Sequence, residues 1–178
     1  MIHDVSVRVL ALLVLACLAA PLRANDLRPV SLIEPDDVPH VDAIMVYKSQ
    51  RKLALVRHGQ VLKEYPIALG AEPVGHKARE GDERTPEGRY LIDWRNPASR
   101  FYKALHISYP NMVDRYHAEL AGVNPGGMVM IHGLPTAPEL GWMDTAGDWT
   151  DGCIAVSNAA MDQIWAAVRD GTLIIIKP

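Results

Sequence analysis

The chain has 178 residues, of which 49% are hydrophobic and 22% charged, enough for one domain with a sizeable core. A single Phe leaves the packing to aliphatic residues, Met and four Trp. The net charge of -3 provides no basic field, which argues against nucleic acid as a partner.

The first element in the chain reads as a leader. Arg8 precedes an apolar run from Val9 to Ala20, and Ala24 or Ala20 offers a small residue for cleavage. About twelve apolar residues are short for a membrane span and suit a signal peptide. An uncleaved anchor is the weaker reading, and a lipoprotein site at Cys17 weaker still, since Leu15 precedes it and apolar residues follow. The expectation is a signal peptide over 1–24, export to the periplasm or cell envelope, and no stable membrane span after cleavage. Cleavage removes Cys17 and leaves Cys153 as a lone thiol in an oxidising compartment.

Residues 25–41 are rich in Pro and Asp, lack periodicity and read as a linker or N-terminal arm. From 42 to 178 the pattern predicts one β-rich domain. Strands are predicted at about 42–48, 52–57 and 61–69, separated by the turns KSQR and RHGQ. A long Gly-rich, charged loop follows over 70–88 and ends in TPEG; loops of this length are usually functional or mobile. RYLIDW forms a strand over 89–94, and NPASRFYKALHISYPN holds a turn, then a strand around 104–108. DRYHAELAGVNPGG contains a short helix broken by NPGG, and MVMIH (128–132) is an apolar strand ending on His132. After a second long loop over 133–152, CIAV is a short buried strand.

SNAAMDQIWAAVRDG is the clearest helix. Ser157 or Asn158 caps its start, Met161, Ile164, Trp165 and Val168 share one face, and Gly171 stops it. TLIIIK closes the chain as an interior strand.

The chemistry converges on Cys153. Gly152 directly before the thiol permits a sharp turn and close approach of a substrate. His132 stands at a strand end beside Gly133, and the two long loops are placed to wall a cleft. A thiol attacks carbonyl carbon as thiolate, yet its free pKa of about 8.5 leaves little of it ionised at neutral pH. An imidazole takes that proton and returns it to the leaving amine, if an acceptor on its other nitrogen orients it. The Gly133 carbonyl, Asp144, Asp148 and Asp151 are the candidate acceptors, and the Gly152 and Cys153 N–H groups a candidate oxyanion hole. By composition alone, a buried inert cysteine and a core histidine account for these residues about as well.

His106, at a strand end, is a candidate lining residue. Arg84 and Lys77 are candidates for binding a substrate carboxylate, and Tyr109 and Trp142 for lining a groove. Trp149 is expected to pack under the turn. The histidines lack the close pairing of zinc ligands, and GAEPVG lacks the Gly-Lys-Ser/Thr ending of a phosphate loop, so no metal or other cofactor is expected.

IHG followed by TDGC resembles the signature of the L,D-transpeptidase (YkuD-like) catalytic domain, a His-Gly, a spacer, then Ser/Thr-His-Gly-Cys. GDERTPEGRY, LHISYPN, the SNAAMDQIW helix and GTLIIIK are similar to the family in the same order, so the resemblance covers about 42–178. It implies a mainly β domain, a YkuD-like sandwich or mixed sheet with a few short helices and a longer C-terminal one. It also implies action on peptidoglycan stem peptides, with an envelope protein attached to peptidoglycan as a further partner.

By that resemblance Cys153 is the nucleophile, His132 the base, and Gly133 the residue whose carbonyl orients it. Gly152 precedes the nucleophile and Thr150 holds the Ser/Thr position. Two positions depart from the pattern: Asp151 replaces the second His, and Ala155 replaces an Asn two residues after the cysteine, leaving open whether Asn158 substitutes for it. A carboxylate close to the sulfur would raise the thiol pKa, so Asp151 either points away or binds a substrate cation. Three readings follow: an L,D-transpeptidase, an L,D-carboxypeptidase or endopeptidase-type hydrolase acting on peptidoglycan or a protein–peptidoglycan linkage, and a non-catalytic peptidoglycan-binding module.

Overall fold

The structure is a computed structural model that describes residues 39–137 and 143–178. The predicted leader, most of the arm and Trp142 lie outside the described residues. None of the described helices is long and apolar enough to cross a membrane.

Eight strands form one mixed sheet: β1 (Ala43–Tyr47), β2 (Lys52–Arg57), β3 (Gln60–Pro66), β4 (Gly88–Ser99), β5 (Tyr102–Ile107), β6 (Met130–His132), β7 (Ile154–Ala155) and β8 (Leu173–Lys177). Their order is β3-β2-β1-β8-β4-β5-β6-β7. The β1–β8 and β6–β7 pairs are parallel and the others antiparallel. β1, β2 and β8 match their predicted spans within a residue, because alternating apolar positions bury one face: Ile44, Val46, Leu53, Leu55, Ile174 and Ile176 all lie in the core.

Strand β4 joins the two halves of the sheet. Gly88 to Leu91 pair with β8, and from Ile92 onward the strand pairs with β5. The turn predicted after RYLIDW comes late: Asn96 to Ser99 still belong to the bulged end of this strand, with register slips between Ile92 and Trp94 and between Asn96 and Ser99. Side chains replace ladder bonds there: the Ala98 N–H donates to Asn96 Oδ1 (3.0 Å) and the Phe101 N–H to Ser99 Oγ (3.0 Å). The chain reverses only at Arg100 and Phe101.

β3 ends at Pro66, short of the predicted 69, because the chain there changes partner. Ala68 exchanges two backbone hydrogen bonds of 2.9 Å with Ala155 on β7, and the Trp149 and Thr150 N–H groups both donate to the Leu69 carbonyl. The segment after β3 thus returns to the opposite end of the strand order and curls the sheet round its core.

Two ten-residue helices pack on this frame, α1 (Met112–Ala121) and α2 (Asn158–Ala167). Asn111 caps α1 in a reciprocal capping box with Asp114, and Gly122 ends it in the left-handed conformation, two residues before NPGG. Ser157 caps α2. Gly171 does not end α2: the helix stops at Val168 in extended backbone, and Gly171 (φ +88°) serves the turn into β8.

Loop 70–88 is held by a buried lysine. Lys48 Nζ donates to the Gly75 carbonyl (2.5 Å), the Thr85 carbonyl (2.9 Å) and Glu87 Oε1 (2.8 Å). Those bonds satisfy all three ammonium hydrogens and tie both ends of the loop to one point.

Candidate active site

The parallel register pairs Ile131 with Ile154 and His132 with Ala155, which sets Cys153 beside Met130 at the mouth of β7. The Met130 N–H points at Cys153 Sγ (3.4 Å), and the Sγ–H faces the Met128 carbonyl at 3.7 Å. Paired residues of a parallel ladder point to the same face, so the thiol and the imidazole emerge together. Both line a cleft of about 530 Å³ with Arg100, Phe101, Trp149 and Asp151.

His132 is buried, and its Nδ1 lies 2.6 Å from the Gly133 carbonyl oxygen. That oxygen only accepts, so Nδ1 carries the hydrogen and Nε2 of the neutral ring is left as the basic nitrogen. Burial pushes the imidazole pKa below its ordinary value; the Gly133 contact opposes this and the Arg100 charge reinforces it. The ring stacks on Phe101 (4.5 Å between centroids), and Trp149 borders both. Trp149 therefore lines the cleft, its Nε1–H donating to the Asp144 carbonyl (2.7 Å). The other candidate acceptors are placed elsewhere: Asp148 binds Arg51 and the Leu69 N–H, and Asp144 takes the Ala146 N–H.

Cys153 is half-buried, and desolvation pushes its thiol pKa up; the Met130 N–H opposes this and the Asp151 charge adds to it. Both shifts favour the neutral form, of the thiol and of the imidazole. Asp151 is exposed on the cleft wall.

Thr150 closes the turn. Its Oγ1 accepts from the Gly152 N–H (3.2 Å) and donates to the Cys153 carbonyl (2.8 Å). The Gly152 N–H is therefore occupied, whereas the Cys153 N–H has no acceptor among the described residues. Gly152 adopts φ +115°, and a Cβ there would lie 2.5 Å from the Arg84 carbonyl oxygen. At Gly133 a Cβ would collide with Asn158 Oδ1.

The remaining candidates fall elsewhere. Arg84 and Lys77 line a separate cavity of about 750 Å³ with His117, on the α1 side. Lys77 is buried and bound to Asp82 Oδ1 (2.8 Å) and the Arg79 carbonyl (3.1 Å). His106 shares the sheet face, but its Nδ1 is 2.6 Å from Asp93 Oδ1 and its ring stacks on Trp94; it does not line the cysteine cleft. Tyr109 is in the core, its hydroxyl donating to the Lys77 and Pro125 carbonyls. Arg100 and Phe101, which the sequence reading assigned only to a turn, are the cleft's main unforeseen residues; their signal was a cation–aromatic pair at a strand reversal.

Residues 41–176 match the model of the YkuD family, the L,D-transpeptidase catalytic domain. A curated relative, YafK of Escherichia coli (strain K12), which carries the L,D-transpeptidase name, is 35% identical over 142 residues, covering 76% of this chain and 50% of its own. The chain spans about half the length of the curated relatives it matches. A point mutant of the helical cell shape determining protein Pgp2 from Campylobacter jejuni has a similar structure, with a TM-score of 0.60 and 25% identity over 78% of this chain and 47% of that one. Bd1075 from Bdellovibrio bacteriovorus shares the fold, with a TM-score of 0.54 and 24% identity over 81% of this chain and 53% of that one.

Proposed function

We infer the function from a fixed premise: the chain belongs to the YkuD family of L,D-transpeptidase catalytic domains. The reading it supports best is a cysteine acyl-transfer enzyme that modifies peptidoglycan stem peptides in the periplasm or cell envelope, reached through the leader over 1–24. The observation that carries it is the shared cleft, in which the Cys153 thiol and an imidazole with Nε2 free face the same space.

With the neutral forms of both groups favoured, the proton moves as the substrate arrives. Cys153 passes its proton to His132 Nε2 as the sulfur attacks the carbonyl after an L-centre. The carbonyl oxygen takes up negative charge within reach of the Cys153 N–H. His132 then protonates the departing D-amino acid, leaving a thioester. An amine resolves the thioester into a cross-link or an attached protein; water resolves it into a hydrolysed peptide. Asp151 favours substrates that bring a cation to the cleft wall. Thr150 acts by holding the turn.

Hydrolysis of a stem peptide or of a protein–peptidoglycan linkage is the second reading. The cleft supports it, since it is open to solvent and Cys153 is only half-buried, so water can serve as the acceptor. A non-catalytic binding module is the third. Incubating the protein with defined muropeptides, with Cys153→Ala as control, separates the three by product mass. Cross-linked products support the transferase, loss of a terminal D-residue or release of a linked amine supports the hydrolase, and no Cys153-dependent mass change defeats both.

A further inference from the structure

Asn158 and His132 are joined through a single peptide plane. The Leu134 N–H donates to Asn158 Oδ1 at 2.7 Å, and the Gly133 carbonyl accepts from His132 Nδ1 at 2.6 Å. That N–H and that carbonyl are the two ends of the same peptide unit, which is planar and rigid. Fixing one end fixes the other. Because the Leu134 N–H is a donor, the Asn158 oxygen must face it, which sets the amide orientation by chemistry.

Asn158 is also tied to the nucleophile. It opens α2, five residues after Cys153, and the intervening Val156 N–H donates to the His132 carbonyl at 2.9 Å. Ser157 supplies the helix cap through the Ala160 N–H, so the Asn158 side chain is not engaged there. One short segment, 153–158, thus carries the sulfur at one end and the anchor of the base at the other.

We propose that Asn158 is the positioning residue for the general base: it holds the 133–134 peptide so that its carbonyl keeps the His132 hydrogen on Nδ1 and leaves Nε2 as the basic nitrogen in the cleft it shares with Cys153. This rests on the acyl-transfer reading. It assigns to Asn158, through one intervening peptide, the orienting part that a carboxylate or amide plays by direct contact in other nucleophile–histidine systems. Hydrogen bonds in such a chain also polarise one another, so loss of the Asn158 acceptor weakens the Gly133 carbonyl as a partner for the imidazole.

The test compares wild type, Asn158→Ala and Asn158→Asp. Muropeptide turnover by wild type, abolished in Cys153→Ala, checks the acyl-transfer reading on its own. The positioning role is read separately by ¹⁵N NMR of His132 and by the pH profile of turnover. Asn158→Ala should lower kcat about ten- to a hundredfold with little change in KM, and should lose the single Nδ1–H tautomer. Asn158→Asp keeps an acceptor, so it should restore the tautomer; its negative charge should raise the His132 pKa and move the acid limb of the profile up by about half a pH unit or more. Should Asn158→Ala fail to fold, the Asp variant decides alone. An unchanged His132 tautomer in Asn158→Ala, or an unmoved His132 titration in Asn158→Asp, overturns the proposal, whatever the muropeptide assay shows.

Discussion

The carbonyl of Arg84 packs against the α-carbon of Gly152, so that the TPEG loop and the turn before the nucleophile rest directly on each other. A methyl group on residue 152 meets backbone, which cannot swing aside, and residue 152 already has φ +115°. Gly152→Ala should therefore cost more than about 1 kcal/mol of stability in denaturant unfolding and displace the sulfur. Turnover should fall further than the loss of folded protein explains. Wild-type stability in that variant would show that the turn has room the structure does not.

Asp151 raises the Cys153 pKa, after the larger effect of burial. Asp151→Asn removes the charge and leaves the burial. The midpoint of the pH profile for iodoacetamide alkylation should fall in the variant while staying above the ordinary thiol value of about 8.5. Neutral-pH alkylation should be correspondingly faster. An unmoved midpoint would place the carboxylate too far from the sulfur to matter.

Lys48 is almost wholly buried, with all three hydrogens used on the loop. Lys48→Met strands Glu87 and two carbonyls, so the expected loss is about 3 kcal/mol in urea unfolding. Thr85 links this anchor to the site: its Oγ1 takes the Gly70 N–H (3.1 Å) and faces the Cys153 carbonyl (3.5 Å). Limited proteolysis should accordingly cut first between residues 70 and 88 in the variant, and elsewhere in wild type.

Asp82 organises the same loop from its other side. Burial pushes its carboxyl pKa up, but the Lys77 ammonium and the N–H groups of Arg79, Ala78 and Arg84 outweigh that and bring it to about 2, below the ordinary 3.8. A carboxylate with a depressed folded pKa stabilises the fold above its unfolded value and ceases to do so as pH falls through its folded one. The urea midpoint of the wild type should therefore drop between about pH 4 and about pH 2. Asp82→Asn should be less stable at neutral pH and show a shallower acid decline. Parallel curves for the two proteins would remove Asp82 from the account.

How far the residues foretold the structure varied with the range of the forces involved. β1, β2, β8 and α2 follow from periodicity, since Met161, Ile164 and Val168 are buried together on one face. The Cys153–His132 cleft was legible through its motif. Arg100 and Phe101 were not, because Pro97 and Ser99 read as a turn, and only the sheet's long-range pairing shows a bulged strand carrying them to the cleft. Arg84 and Lys77 were assigned to substrate for their charge. Both instead face the cavity on the α1 side, where Asp82 takes the Lys77 ammonium and the Arg84 N–H. The residues alone left the acceptor for His132 open between the Gly133 carbonyl and three aspartates; the family resemblance named Gly133, and its carbonyl is the partner.

The final strand, Leu173–Lys177, is inserted between β1 and β4, in the middle of the strand order. It runs parallel to β1 and antiparallel to β4, so a single five-residue segment carries ladders to both halves of the sheet. A proline at Ile175 would remove an N–H from that shared seam and loosen two ladders with one substitution.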